Sequence, residues 1–335
     1  MLVLTDGVPG HDRSSEGVLA ALARLGPTRA RWLGIAEVRP TSRRIARLCA
    51  RVLRPDRFLA ERVRIAPERV AERFGPALAD WPERADFVLS TGPSTAAANI
   101  AAARRLSARN IYCGFAKWPV TGFSLILSPV PSRARRVALA PRPSTVDAEA
   151  LPPPRPLAGP GTRTIALLFG GETKHYAYTA EDMDALATRL GTILAERTDW
   201  SLLAFDSRRT RADLFDRLAR ALSALGPRAA IHRFADGGLG SNAAAFEADA
   251  ILVSADSLSM IHEAVAAGRP TVVLSASAYR PPRRDRAEID ALARSGNVGQ
   301  ETLDGLTTAT LAGAPLPPRA SEPARLTRLL ARHGF

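Results

Sequence analysis

Short apolar runs alternate with longer stretches of helical spacing from one end of the chain to the other. In the first half the runs at 2–5, 30–33, 87–90, 111–113 and 125–127 read as strands, and 14–24, 41–54 and 94–106 read as helices between them. In the second half strands at 164–169, 201–205, 229–232, 250–253 and 271–274 alternate with helices at 180–198, 211–225, 241–247 and 257–267. That alternation predicts parallel sheets covered by helices. Between the halves, residues 141–160 carry seven prolines, Pro152, Pro153 and Pro154 among them, which neither pair in a sheet nor continue a helix. The expected fold is therefore α/β, with two doubly wound domains facing a cleft. The first covers 1–145, a proline-rich linker 146–162, the second 163–320, and a last helix 321–335.

Composition removes alternatives without changing this architecture. With 46% apolar and 24% charged residues among 335, the chain is globular rather than disordered. No apolar run approaches the ~18 residues of a membrane span, and no repeat of fixed period occurs. The opening MLVLTDG reads as strand and turn, with neither a basic segment nor an apolar stretch of signal-peptide length, so a cytoplasmic location is expected. Cys49 and Cys113 make neither a disulfide framework nor a zinc site.

Charge adds a second candidate partner. The net charge is +13, but 44 of the 46 basic residues are arginine, so part of the excess is compositional. Residues 29–69 hold twelve arginines against four acidic residues, a local balance of +8. There Ile45, Leu48, Cys49, Val52 and Leu53 form one helical stripe, with Arg43, Arg44, Arg47 and Arg51 largely outside it. Such a helix suits an anionic membrane surface, which would make the protein peripheral on the inner face of the membrane. It equally suits a packed helix with a solvated basic face. Nucleic acid is not expected as a partner, because aromatic residues are only 6% and no stacking or zinc-finger pattern accompanies the charge.

The chemistry-bearing residues cluster where a strand gives way to a helix. Asp6-Gly7-Val8-Pro9-Gly10-His11 follows the first strand, and Thr91-Gly92-Pro93-Ser94-Thr95 follows a later one. In the second half the clusters are Gly170-Gly171-Glu172-Thr173-Lys174-His175, Ser207-Arg208-Arg209-Thr210 and Ser254-Ala255-Asp256-Ser257. At such turns free backbone N–H groups and the positive end of a helix favour a phosphate. Serine, threonine, aspartate and glycine also cap helices for structural reasons alone, so one such loop means little and several in matched halves point to a phosphate-bearing ligand. None is a GxGxxG or P-loop, which excludes the dinucleotide and kinase fingerprints.

The segment Asp256-Ser257-Leu258-Ser259-Met260-Ile261-His262-Glu263-Ala264, ending at Gly268-Arg269-Pro270, resembles the nucleotide-binding helix of GT-B glycosyltransferases, including the peptidoglycan N-acetylglucosamine transferases. Taken with Leu4-Thr5-Asp6-Gly7, Pro9-Gly10-His11, Gly170-Gly171 and Ser207-Arg208-Arg209-Thr210, the likeness narrows to the "elongated mitochondria" fission-protein family, whose bacterial members are classed with GT-B transferases. The chain departs from that family's pattern at residues 240–245, where an Asn-Pro-Tyr turn is expected. The resemblance implies two Rossmann-like domains of GT-B type, the first on the acceptor side and the second on the donor side, with the last helix packing back on the first.

It also implies metal-independent transfer of a sugar from a nucleotide-diphosphate donor, with no cofactor. Glu263 would then hold the two ribose hydroxyls, and His11 would face the acceptor as the base, with Asp12 in reserve. Gly170, Gly171, Glu172, Thr173, Lys174, His175, Ser207, Arg208, Arg209, Thr210, Asp256, Ser257, Ser259 and Met260 are the candidates for the donor and its diphosphate. Gly7, Gly10, Gly92, Ser94, Thr95 and Lys117 are those for the acceptor side. No His/Asp/Glu cluster has metal-ligand spacing and no DxD pair stands where a metal-dependent transferase uses one. Two alternatives remain beside transfer: epimerisation or displacement of (pyro)phosphate on the same fold, and a non-catalytic membrane adaptor with a vestigial cleft.

Overall fold

The computed structural model describes residues 1–35, 82–115, 120–173, 176–236, 242–276 and 278–335. The basic stripe with Arg43, Arg44, Arg47 and Arg51 lies outside the described residues, as do Lys117, Lys174 and His175. The chain forms two compact units, Met1–Thr145 with Glu322–Phe335, and Val146–Ser321. Among the described residues no helix is long and apolar enough to cross a membrane.

The first unit runs β1 (Leu2–Thr5), α1 (Pro9–Ala23), β2 (Arg31–Gly34), β3 (Phe87–Thr91), α2 (Ala96–Arg105), β4 (Arg109–Cys113), β5 (Leu125–Ser128) and β6 (Val137–Leu139). Its sheet is parallel throughout, in the order β2-β1-β3-β4-β5-β6. The order reverses between β1 and β3. Connections leaving neighbouring strands at such a point go to opposite faces of the sheet and open a crevice at the strand C-termini. Buried on every side, α2 presents alanines that allow close approach to the sheet. The one polar group in its middle, Asn99, donates to Ser90 Oγ and Ile111 O (2.9 Å each) and accepts from Asn110 (2.7 Å). This satisfied network ties β3 to β4.

The second unit runs β7 (Arg163–Leu168), α3 (Ala180–Glu196), β8 (Trp200–Phe205), α4 (Ala212–Ser223), β9 (Ala229–His232), α5 (Ala243–Glu247), β10 (Ala250–Ser254), α6 (Leu258–Ala266), β11 (Thr271–Ser275), α7 (Arg283–Arg294), β12 (Gly299–Thr302) and α8 (Thr308–Ala312). Its parallel sheet has the order β12-β11-β10-β7-β8-β9, reversing between β7 and β10. Trp200, Phe169 and Phe215 fill one face of this sheet against Met183, Leu186 and Leu190 of α3. The last helix, α9 (Glu322–Arg332), belongs to the first unit, where Leu326 and Leu330 are buried with Val18 and Leu22 of α1.

Several elements differ from the sequence reading for identifiable reasons. Helix α1 begins at Pro9 rather than residue 14, because proline at the first helical position is preset for a helix and needs no N–H partner there. Strands β6 and β12 and helices α7 and α8 were not expected. β12, Gly-Gln-Glu-Thr, is a polar edge strand, and α7 buries only Glu288 and Ile289, so neither shows an apolar period.

The proline-rich stretch read as a linker is bound to the second unit. Arg155 donates to Asp249 from its backbone N (2.9 Å), Nε (3.0 Å) and Nη2 (2.7 Å), while Thr164 N donates to the same carboxylate (2.8 Å). Leu157 enters the core of that unit. Proline forbids sheet and helix pairing, but it does not prevent side chains and isolated backbone groups from anchoring the chain.

Burial alone would raise the Asp249 carboxyl; the hydrogen bonds from Arg155 and the Thr164 and Arg155 N–H groups outweigh it and hold it below the ordinary aspartate value. A depressed carboxyl contributes stability above its unfolded pKa and loses it as pH falls through the folded value. Asp249→Asn is expected to cost about 2 kcal/mol at pH 7 in urea unfolding, with the gap to wild type closing below about pH 4.

Candidate functional site

In the second unit, three loops meet at the C-terminal ends of β7, β8 and β10. Gly170 follows β7, and its N–H donates to Ser254 Oγ at the end of β10 (2.7 Å). A Cβ on Gly170 would lie 2.2 Å from Asp256 Oδ2, so the loop closes only with glycine. Gly171 has φ +118° and forms a parallel bridge to Arg209, whose carbonyl would sit 2.3 Å from a Cβ; conformation and contact both require glycine.

The loop after β8 folds on its own hydroxyls. Ser207 N donates to Thr210 Oγ1 (2.8 Å), Arg209 N donates to Ser207 Oγ (3.2 Å), and the Ser207 and Thr210 hydroxyls both donate to the Gly170 carbonyl. These hydroxyl protons, expected to face a phosphate, are spent holding one loop against the other. Glu172 N donates to Arg209 O (3.1 Å), which continues the seam.

Asp256 stands at the centre, its side chain fully buried. Tyr178 OH donates to its Oδ1 (2.9 Å) and Arg209 Nη2 to its Oδ2 (2.9 Å). Burial raises the Asp256 carboxyl, and the Arg209 charge and the hydrogen bonds from Ser254, Tyr178 and Gly171 oppose it without cancelling it. Burial and the Asp256 charge push the Tyr178 hydroxyl well up, so it remains a donor. Tyr176 packs edge-on between Tyr178 and Tyr279 (4.5 Å to each ring) and accepts from Ala276 N. Tyr178, with Tyr176 packed against it, thus covers the carboxylate.

Helix α6 starts directly after this carboxylate. Its N-cap, Ser257, makes no side-chain cap bond, and the N–H groups of an unbonded first turn are those that favour an anion. Ser259 is half-buried and Met260 is buried. Glu263 lies one turn further on and is buried, 7% exposed, with its Oε2 withdrawn from solvent. His262 is buried on the same helix and bonds Glu288 of α7 (2.7 Å), which fixes α6 laterally. Among the described residues no group of three or more His, Cys, Asp or Glu side chains is arranged to hold a metal ion.

In the first unit the loops after β1 and β3 meet at the other point of reversal. His11 and Asp12 lie in the first turn of α1 rather than in a loop. The His11 Nδ1 is 2.9 Å from Asp6 Oδ1, with side-chain exposures of 23% and 7%. Ser94 Oγ donates to the other Asp6 oxygen and Val8 N to the first. The imidazole lies on Gly92, where a Cβ would come within 2.3 Å of its Cε1. Burial pushes the Asp6 carboxyl up, but the His11 hydrogen bond and charge, then Ser94 and Val8, bring it below the usual value. An ionised carboxylate only accepts, so His11 Nδ1 carries the proton of this bond, and Nε2 is the ring nitrogen that Asp6 does not engage.

Asp12 accepts from Thr5 Oγ1, which also receives Gly7 N, and so braces the start of α1. Thr95 is buried and donates to Gly92 O (2.9 Å) and Thr91 O (3.1 Å), and Gly10 O accepts from Ser14; these shape the loops. The partner of His11 is Asp6, five residues away across a turn into a Pro-initiated helix, a contact with a local signal in the sequence. Tyr178 and Ser254 had no local signal, being 78 and 84 residues from the groups they meet.

Gly170→Ala forces a Cβ into the Asp256 carboxylate and is expected to lower stability by roughly 2–3 kcal/mol in urea unfolding. Gly191→Ala, inside α3 with open space around it, is expected to raise stability by about 0.5–1 kcal/mol in the same assay.

Three solved structures share the architecture. S. aureus MnaA in a co-structure with UDP matches with a TM-score of 0.53 at 13% identity, covering 99% of this chain and 94% of that one. UDP-GlcNAc 2-epimerases of Methanocaldococcus jannaschii, with UDP-GlcNAc and UDP, and of Neisseria meningitidis, with UDP-GlcNAc, each match with a TM-score of 0.50 at 12% identity over 99% of both chains. The fold is of the GT-B type, with two parallel six-stranded sheets covered by helices. No curated protein sequence matches significantly. The mitochondrial fission ELM1 family model matches residues 9–317, and the chain belongs to that family.

Proposed function

We propose that this chain is a sugar-nucleotide enzyme that binds a nucleoside-diphosphate sugar in its second unit and transfers the sugar to an acceptor hydroxyl. The observation that carries the reading is the joining of the loops after β7, β8 and β10 around the start of α6. Strand ends at a reversal of strand order are where parallel α/β sheets take ligands, and a helix start favours the diphosphate. The structural relatives include proteins solved with UDP and UDP-GlcNAc.

In this reading α6 presents its first-turn N–H groups to the diphosphate, Arg208 supplies positive charge, and Glu263 accepts from the ribose hydroxyls at the edge of its helix. His11, held by Asp6, takes the acceptor proton at Nε2. The acceptor oxygen bonds to the anomeric carbon while the bond from that carbon to the phosphate oxygen breaks, and the nucleoside diphosphate leaves with the electron pair. Positive groups that meet the charge growing on the leaving group favour the transition state over the ground state. Cationic side chains fill that role, so turnover is expected to persist in EDTA.

The relatives solved with UDP-GlcNAc are 2-epimerases, which favours a second reading in which the same donor site serves rearrangement of the sugar. Product analysis separates the two: transfer yields a glycosylated acceptor, and epimerisation yields a sugar isomer with no acceptor requirement.

Calorimetry with a panel of nucleoside diphosphates is expected to find one that binds, with Glu263→Gln weakening it about tenfold. His11→Asn is expected to leave that binding unchanged and to lower transfer by about 10²–10⁴-fold. No binding across the panel, or binding indifferent to Glu263→Gln, would sink the proposal.

A further inference from the structure

The second unit places three arginines together, Arg208, Arg209 and Arg211, and the structure uses them differently. Arg209 is committed: its Nη2 donates to Asp256 Oδ2 (2.9 Å), its Nη1 to Glu172 O (3.4 Å), and its backbone carbonyl accepts from Glu172 N. Arg211 pairs with Asp213 (2.6 Å) and Glu172 (3.5 Å). Arg208 is exposed and, among the described residues, makes no hydrogen bond or ion pair. Of the three positive charges, only that of Arg208 has no carboxylate partner among the described residues.

We propose that the adjacent arginines divide their work, with Arg208 the anion-contacting residue for the diphosphate and Arg209 a positioning residue that neutralises the buried Asp256 and thereby holds the loops together. This rests on the donor-site reading above. Asp256 is withdrawn from water, and a buried carboxylate deprived of its partner is strongly unfavourable, whereas removing both charges together is far less so. A phosphate drawn to Arg209 would approach the Asp256 carboxylate, which lies 2.9 Å from the same guanidinium. Arg208 meets no such repulsion. Its planar fork matches two phosphoryl oxygens, as the committed fork of Arg209 no longer does.

The test is a double-mutant cycle read in two ways, by urea unfolding and by calorimetric binding of inorganic pyrophosphate and of the nucleoside diphosphate that the wild type accepts. Arg208→Gln is expected to keep the wild-type unfolding midpoint and weaken both anions at least tenfold. Arg209→Gln is expected to lower the midpoint and weaken binding, and adding Asp256→Asn is expected to recover both to within about threefold of wild type. Recovery of stability without recovery of binding would mean that Arg209 touches the anion, and the division of work fails; so it does if Arg208→Gln binds as wild type.

Side-chain NMR of the unaltered protein gives a readout that does not depend on the variants folding. The Arg209 Nε–H signal should exchange slowly and stay in place on adding pyrophosphate, while that of Arg208 exchanges fast and moves. Movement of the Arg209 signal overturns the proposal. A wild type that binds neither anion removes the donor-site reading instead, and the midpoint recovery in the double variant still decides whether Arg209 serves Asp256.

Discussion

A carboxylate withdrawn from water at the point where a sheet reverses its strand order constrains everything around it. Asp256 needs a positive charge and hydrogen-bond donors, because an unpaired buried charge would cost more than the loops could offset. Arg209, Tyr178 and the Ser254 hydroxyl meet that need, and each comes from a different strand connection. The requirement passes outward from there. Gly170 must lack a side chain to leave room, Gly171 must take a positive φ to reach Arg209, and the Ser207 and Thr210 hydroxyls must hold the Gly170 carbonyl.

The first unit applies the same device with other residues. Asp6 sits after β1, next to β3 across the reversal, and gathers His11 from the start of α1 and Ser94 from the loop after β3. In both units one acidic residue organises a cationic or protonatable partner and a hydroxyl, and in both a glycine gives way to the arrangement. The outcome differs in exposure. Among the described residues His11 bonds through Nδ1 only, at a side chain 23% exposed, whereas Asp256 is sealed under tyrosines. One carboxylate orients the imidazole that is proposed to act on an acceptor, and the other stabilises the frame beside which a ligand is proposed to bind.

The remaining frame is supported by bonds that anchor irregular chain rather than by longer helices and strands. Asp249 captures the proline-rich stretch through Arg155, and Arg319 bonds the carbonyls of Ala148, Leu151 and Pro152. Such contacts let a segment with no ladder of its own satisfy its backbone groups. His262 and Glu288 do the equivalent for α6, joining it to α7 with both side chains buried.

The sequence by itself determined the alternation of strands and helices, the division into two similar halves and the concentration of glycine and hydroxyl residues after strands, since each is a local pattern of period or of conformational demand. Resemblance of the motifs also made the family legible. Strand β6 escaped because it is only three residues long, and β12 and α7 because a polar edge strand and a weakly buried helix have no apolar period to read. What only the tertiary structure decided is strand order, and with it which loops become neighbours. Nothing local ties Ser94 to Asp6 or Asp256 to Tyr178 and Arg209, because these pairs are separated by 88, 78 and 47 residues and meet only where the two sheets reverse direction. For the same reason a sequence can show that Arg208 and Arg209 are adjacent, and only packing shows that one of them already has a carboxylate to serve.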